Sequence, residues 1–163
     1  MTKPANAFAY AGAARPSFGG LDANAVARAE AALKSLSGQF GAWLQDELAK
    51  LDAARAAIRA GGFTQANADQ LYLHAHDLKG LGTTYEFPIV SRMAASLCRL
   101  IESPARRTAA PLELVDSHID AIRAAVKDGI KTDDHPLGHA LVSELERLTA
   151  AHIAAESSSS TAP

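Results

Sequence analysis

Apolar residues recur along most of this chain at three- and four-residue intervals, and no stretch alternates apolar with polar positions as a half-buried strand would. Asp22 is placed to cap a helix through about Ser35, with Ala25, Ala29, Ala32, Leu33 and Leu36 at helical spacing. Ser37-Gly38 then predicts a break. A second helix, from about Gln39 to Ala60, carries Phe40, Trp43, Leu44, Leu48, Leu51 and Ile58. Gly61-Gly62 ends it, because glycine readily adopts the left-handed conformation that follows a helix. A third helix opens near Thr64 to Asn67 and continues through Tyr85. Pro88 suits the first turn of a fourth, with Ile89, Met93, Leu97, Leu100 and Ile101, which Pro104 ends. Pro111 opens a fifth with Leu112, Val115, Ile119, Ile122 and Val126, and Pro136 a sixth with Leu137, Leu141, Leu145 and Leu148. Short connections between amphipathic helices predict an all-α, antiparallel bundle.

The two ends lack this pattern. Residues 1–20 hold Pro4, Gly12, Pro16 and Gly19-Gly20 without a sustained apolar period and read as a flexible arm. Four consecutive serines make residues 157–163 a disordered tail by composition. One helical domain over residues 21–156 is expected between them.

Composition agrees with helix. Of 163 residues 48% are hydrophobic and only 6% aromatic, and alanine, which loses least on entering a helix, is abundant. A formal net charge of −2 supplies no field for nucleic acid or an anionic membrane. No apolar run is long enough to span a bilayer, and Lys3-Pro4 with scattered alanines is not the layout of a signal peptide, so cytoplasmic residence is expected. The single cysteine, Cys98, excludes an internal disulfide and a Cys-rich zinc site, and reads as a small buried hydrophobe.

The chemistry-bearing segment is Leu71-Tyr72-Leu73-His74-Ala75-His76-Asp77-Leu78-Lys79-Gly80-Leu81-Gly82-Thr83-Thr84-Tyr85. At about 100° per residue from Leu78, the residues Leu71, His74, Ala75, Leu81, Gly82 and Tyr85 fall within about 60° and form a buried stripe. His76 lands about 160° away with Tyr72, Leu73, Lys79, Gly80 and Thr83. His74 therefore faces the core margin, hydrogen-bonded to a neighbour, and His76 faces solvent. Neutral imidazole is a nucleophile near pH 7, its ordinary pKa being about 6.5. Gly80, one turn on, gives up about 1 kcal/mol of helix propensity relative to alanine and leaves clearance beside the ring. Lys79 can offset the charge of a phosphoryl group held there. Each has an ordinary reading too: a solvated histidine, a packing glycine, a solvated lysine. His74 and His76, two apart on a helix, point away from each other and chelate a metal poorly.

Ala75-His76-Asp77-Leu78-Lys79-Gly80 resembles the His-x-Leu-Lys-Gly signature of histidine phosphotransfer (HPt) domains. The likeness extends through Tyr85, Met93, Leu97 and Leu100-Ile101-Glu102 and covers roughly residues 40–127. The family pattern carries a glycine ten residues after the histidine, where this chain has Glu86, followed by Phe87-Pro88. The resemblance implies a four-helix bundle of HPt type, its core about residues 39–127, with additional N-terminal and C-terminal helices.

It further implies a phosphocarrier. His76 would accept a phosphoryl group from the aspartyl phosphate of a response-regulator receiver domain, such as that of a hybrid histidine kinase, and pass it to another receiver. Lys79 would stabilise the phosphoryl charge, Gly80 would give clearance, and Tyr72, Leu73 and Thr83 would meet the partner. Mg²⁺ would belong to the receiver, and this chain would need no cofactor or metal of its own. It has no GxxxxGK[ST] loop or kinase glycine loop, so ATP-dependent kinase activity is not expected. A single bundle of this kind can stand alone, so a monomer is expected. The competing reading is a bundle that docks a receiver and inhibits it without transfer. A helical scaffold in which His76 is incidental ranks third, and a metabolic enzyme last. For Leu73, cover by the N-terminal helix and exposure to a partner weigh about equally.

Overall fold

Proline and side-chain caps start most of the helices. A computed structural model describes residues 22–161, all helix, turn or loop, with no strand among them. The expected arm at residues 1–20 lies outside the described residues. The helices are α1 (Ala23–Gly61), α2 (Gln65–Thr84), α3 (Pro88–Leu100), α4 (Pro104–Ala109), α5 (Leu112–Lys127) and α6 (Pro136–Ser159). Thr64 caps α2 by accepting from the Asn67 amide, and Ser103 caps α4 by accepting from that of Arg106. Proline occupies the first turn of α3, α4 and α6.

Three expectations change. Ser37-Gly38 does not interrupt the chain, and α1 runs through it for 39 residues. One glycine costs a helix only about 1 kcal/mol, too little to stop propagation between two good helical segments. Pro104 does not merely end a helix but opens the short α4, for which Ser103 is the cap. The serine run is helical as far as Ser159, and Ser157, Ser158 and Ser159 donate their hydroxyls to carbonyls one turn back.

The chain divides into two units, Met1–Leu36 and Ser37–Pro163. In the first, the described helical residues hold Leu33 and Leu36 exposed. In the second, α3 is the central helix: Ile89, Val90, Met93, Ala94, Leu97 and Leu100 are all buried, and it packs on α2, α5 and α6. α2 also meets α4, and α5 meets α6. From α1, Leu44, Leu48, Leu51, Ala54 and Ile58 join the same core, while Trp43 stays 40% exposed against the expectation for its stripe. Trp43 instead clusters with Phe40 and Tyr85, ring centroids 5.4–5.7 Å apart. Arg55, buried on α1, donates to Asp52 at 2.6 Å and to Asp120 of α5 at 2.8 Å.

Both α2 and α5 end in the same way. After α5, the Gly129 amide donates to the Val126 carbonyl and the Ile130 amide to that of Ala125, with Gly129 at φ +67°. After α2, Glu86 donates to Thr83 and Phe87 to Gly82 at 2.7 Å, with Glu86 at φ 64°. This double bond pattern is the Schellman motif, whose first residue past the cap is left-handed and usually glycine. Glu86 is the only non-glycine residue at positive φ among the described residues.

Candidate functional site

The burial pattern of α2 separates the two histidines. Leu71, Ala75, Leu78 and Gly82 are buried, and His74, Leu81 and Tyr85 are partly so. His76, Asp77, Lys79, Gly80 and Thr83 are exposed, as is Leu73 at 48%. Tyr72 is half-buried and packs against the core, so of the outward-facing candidates it alone is anchored inside. α2 thus brings His76, Lys79, Gly80, Leu73 and Thr83 to one convex, solvent-facing surface.

Around His76 the helix is asymmetric. On the N-terminal side stands Tyr72, its ring centroid 6.0 Å from that of His76 with 38° between the planes. On the C-terminal side, a methyl group placed on Gly80 would meet nothing within 4 Å. Lys79 has no ion-pair partner among the described residues, and the His76 ring makes no hydrogen bond among them, so the cation and the imidazole are both uncommitted. Thr83 is committed: its amide and hydroxyl both contact Ser91 Oγ, at 2.8 and 3.1 Å. That bond pins the C-terminal end of α2 to α3.

Gly82 serves packing. A Cβ there would lie 2.5 Å from Ser91 Oγ and 2.6 Å from the Ser91 amide nitrogen, so glycine is what lets α2 meet the first turn of α3. Cys98 is buried, and burial pushes its thiol up to about 11, which leaves it protonated and inert near neutral pH. His74 departs from expectation: its Nδ1 is buried without a hydrogen-bond partner among the described residues. His74 lines a shallow surface depression with Ala53, Ala54 and Ala57 of α1 and with Lys50, Asn67 and Gln70, none of which hydrogen-bonds its ring.

Two arrangements escaped the sequence reading. The first is Arg107 of α4, whose guanidinium carbon lies 3.9 Å from the centroid of the Tyr72 ring. No local pattern points to it, since the contact joins residues 35 apart through a helix that was not expected. The second is a core trio. His118 Nδ1 lies 2.7 Å from the Leu114 carbonyl oxygen, which requires the proton on Nδ1, so Nε2 accepts from the Ser96 hydroxyl at 2.9 Å, with the Thr149 hydroxyl 3.0 Å from Ser96 Oγ and 3.3 Å from Nε2. A Ser–His contact elsewhere suggests a nucleophile and its base, but His118 is wholly buried and Ser96 nearly so. This trio therefore ties α3, α5 and α6 together. Its signal was a histidine on the apolar stripe of α5, between Val115 and Ile122.

Among the described residues no three His, Cys, Asp or Glu side chains are grouped to hold a metal ion, and no helix is long and apolar enough to cross a membrane. In comparisons with family models, curated proteins and solved structures, nothing matches this chain.

Proposed function

We propose that this chain is a histidine phosphotransfer protein of the HPt kind, accepting a phosphoryl group on His76 from an aspartyl phosphate of one receiver domain and delivering it to another. The observation that carries this reading is the exposed His76 on a convex helix face, with an uncommitted lysine at i+3 and open space over Gly80 at i+4. A convex face suits a protein partner rather than a small substrate, which needs a concave site. In the transfer, a lone pair of the neutral imidazole forms the N–P bond as the acyl phosphate P–O bond breaks. The bonding electrons leave on the aspartate carboxylate, and the other ring nitrogen keeps its proton. Lys79 offsets charge on the phosphoryl oxygens, and docking supplies the in-line geometry. Mg²⁺ and the acidic pocket belong to the receiver in this reading.

A second observation supports it. Glu86, ten residues after His76 where the family pattern carries glycine, holds the left-handed backbone that favours glycine. In this reading α1 from Ser37, α2, α3 and α5 are the four helices of an HPt bundle, and α4 and α6 are additions.

The test is to mix the protein with ³²P-loaded receiver domains and ask whether label moves onto it in an acid-labile, base-stable form, then to repeat with His76→Gln. Label on the wild type and none on the variant is expected. Label persisting on the variant overturns His76 as the acceptor, and binding without transfer to either favours an inhibitory docking protein.

A further inference from the structure

We propose that Arg107 is a positioning residue for His76: from α4 it fixes the Tyr72 ring, and the fixed ring orients the imidazole. The proposal rests on the reading of His76 as phosphoacceptor.

The arrangement follows from helix geometry. A helical side chain leans toward the N-terminus, over the residue four positions before it. His76 therefore leans on Tyr72, and Gly80 leaves its other side bare. With no hydrogen bond to the imidazole among the described residues, Tyr72 is the aromatic surface that restricts its rotation. The position of Tyr72 then matters as much as its presence.

Arg107 holds that position from outside the helix. Its Nη1 donates to Asp69 Oδ1 at 2.9 Å, its Nε to the Ile101 carbonyl at 3.0 Å and its Nη2 to the Glu102 carbonyl at 3.1 Å. Three bonds from one planar fork fix the guanidinium across the end of α3 and the start of α2, and its flat face covers Tyr72 at 3.9 Å. Asp69, Tyr72 and His76 lie at i, i+3 and i+7, so the anchor, the ring and the imidazole share one face of α2. The hydrogen bond from Arg107, helped by Gln65, holds the Asp69 carboxyl below its ordinary range, so the anchor is ionised near neutral pH.

In-line transfer needs the attacking nitrogen within about 3–3.5 Å of phosphorus, and a displacement of about 1 Å reduces rate about a hundredfold. A loosened Tyr72 is expected to slow transfer without removing any group that touches the phosphoryl. Arg107→Ala should leave helicity near wild type and slow ³²P transfer from a receiver about tenfold. In heteronuclear spectra its His76 ring-proton signals should move toward those of Tyr72→Ala, as the aromatic ring current is lost. Arg107→Lys separates this role from a charge effect: lysine keeps the charge but not the planar fork, so it should remain slow. Asp69→Asn, which loosens the anchor without touching the ring, should change the same signals in the same direction by less.

Unchanged His76 signals in a folded Arg107→Ala, or full transfer by Arg107→Lys, overturns the proposal. Should Arg107→Ala fail to fold, Asp69→Asn decides by the same two readouts. If the wild type takes no label from any receiver, it is the phosphocarrier reading that falls, while the ring signals still report whether Arg107 orients His76.

Discussion

Gly80 and Gly82 stand two residues apart on α2 in opposite surroundings: a methyl group on Gly80 meets open space, and one on Gly82 would press within 2.5 Å of the Ser91 hydroxyl. Alanine at the first site gains helix propensity with no clash, and at the second it forces α2 away from α3. Gly80→Ala should raise stability by about 0.5–1 kcal/mol. Gly82→Ala should lower it by about 1–3 kcal/mol. If Gly80 is kept for a partner's approach to His76, the stabilised Gly80→Ala should also lose about tenfold in receiver-to-protein transfer. Thermal melts and a labelled-transfer time course measure both, and unchanged transfer in Gly80→Ala sinks the clearance argument.

Glu86 offers a backbone test. A left-handed conformation costs a residue with a Cβ about 1–2 kcal/mol, which glycine escapes. Glycine also enlarges the unfolded ensemble by up to about 1 kcal/mol, and the variant forfeits the exposed contacts of Glu86 with Ser37 at 2.9 Å and Lys131 at 3.6 Å. Such surface contacts contribute little, so Glu86→Gly should fall within about 1 kcal/mol of wild type. Glu86→Val, β-branched at positive φ, should lose at least about 1 kcal/mol more than that. Equal stabilities for the glycine and valine variants in urea titration would show that the turn is not left-handed.

What the sequence disclosed and what it hid divide along physical lines. The buried stripe Leu71-Ala75-Leu78-Gly82 and the outward His76 follow from a period of 3.6, which each helix writes into its own residues. The start of α6 at Pro136 was equally plain, because proline and capping chemistry act locally. Ser37-Gly38 misled because a weak helix former is only a small bias, overridden when both flanks are helical. The serine run misled for the related reason that a helix already built lengthens at little cost, each hydroxyl turning back to a carbonyl. Arg107 on Tyr72 and Thr149 beside His118 were out of reach, since such pairs are set by how helices pack and not by spacing within one.

His118 should make stability depend on pH. Burial lowers its pKa in the folded protein, the Leu114 carbonyl opposing this only in part. In the unfolded chain the imidazole titrates at its ordinary value of about 6.5, so between the depressed folded value and 6.5 the unfolded state binds more protons. Stability should be fully present above about pH 6.5, decline as pH falls through it, and level off below the folded value. His118→Leu leaves Ser96 and Thr149 to pair with each other at 3.0 Å and should flatten that part of the profile, whatever its own stability. Denaturant titrations of both proteins between pH 5 and 8, in steps of about half a unit, read the difference. Parallel profiles would remove His118 as the cause.

Leu73 decides whether the face around His76 is a docking surface or unfinished core. With 48% of the residue exposed, Leu73→Ala removes little buried area and should lower stability by less than about 1 kcal/mol. Leu71→Ala, two residues away and wholly buried, should lower it by about 2–5 kcal/mol. Apolar side chains that a partner covers act mainly on complex lifetime. Leu73→Ala should therefore need a higher receiver concentration for half-maximal transfer, while the rate at saturating receiver stays close to wild type. That split distinguishes docking from the chemical step, which His76 and Lys79 would still perform. A destabilisation of Leu73→Ala as large as that of Leu71→Ala would place Leu73 in the core and take it off the partner-facing surface.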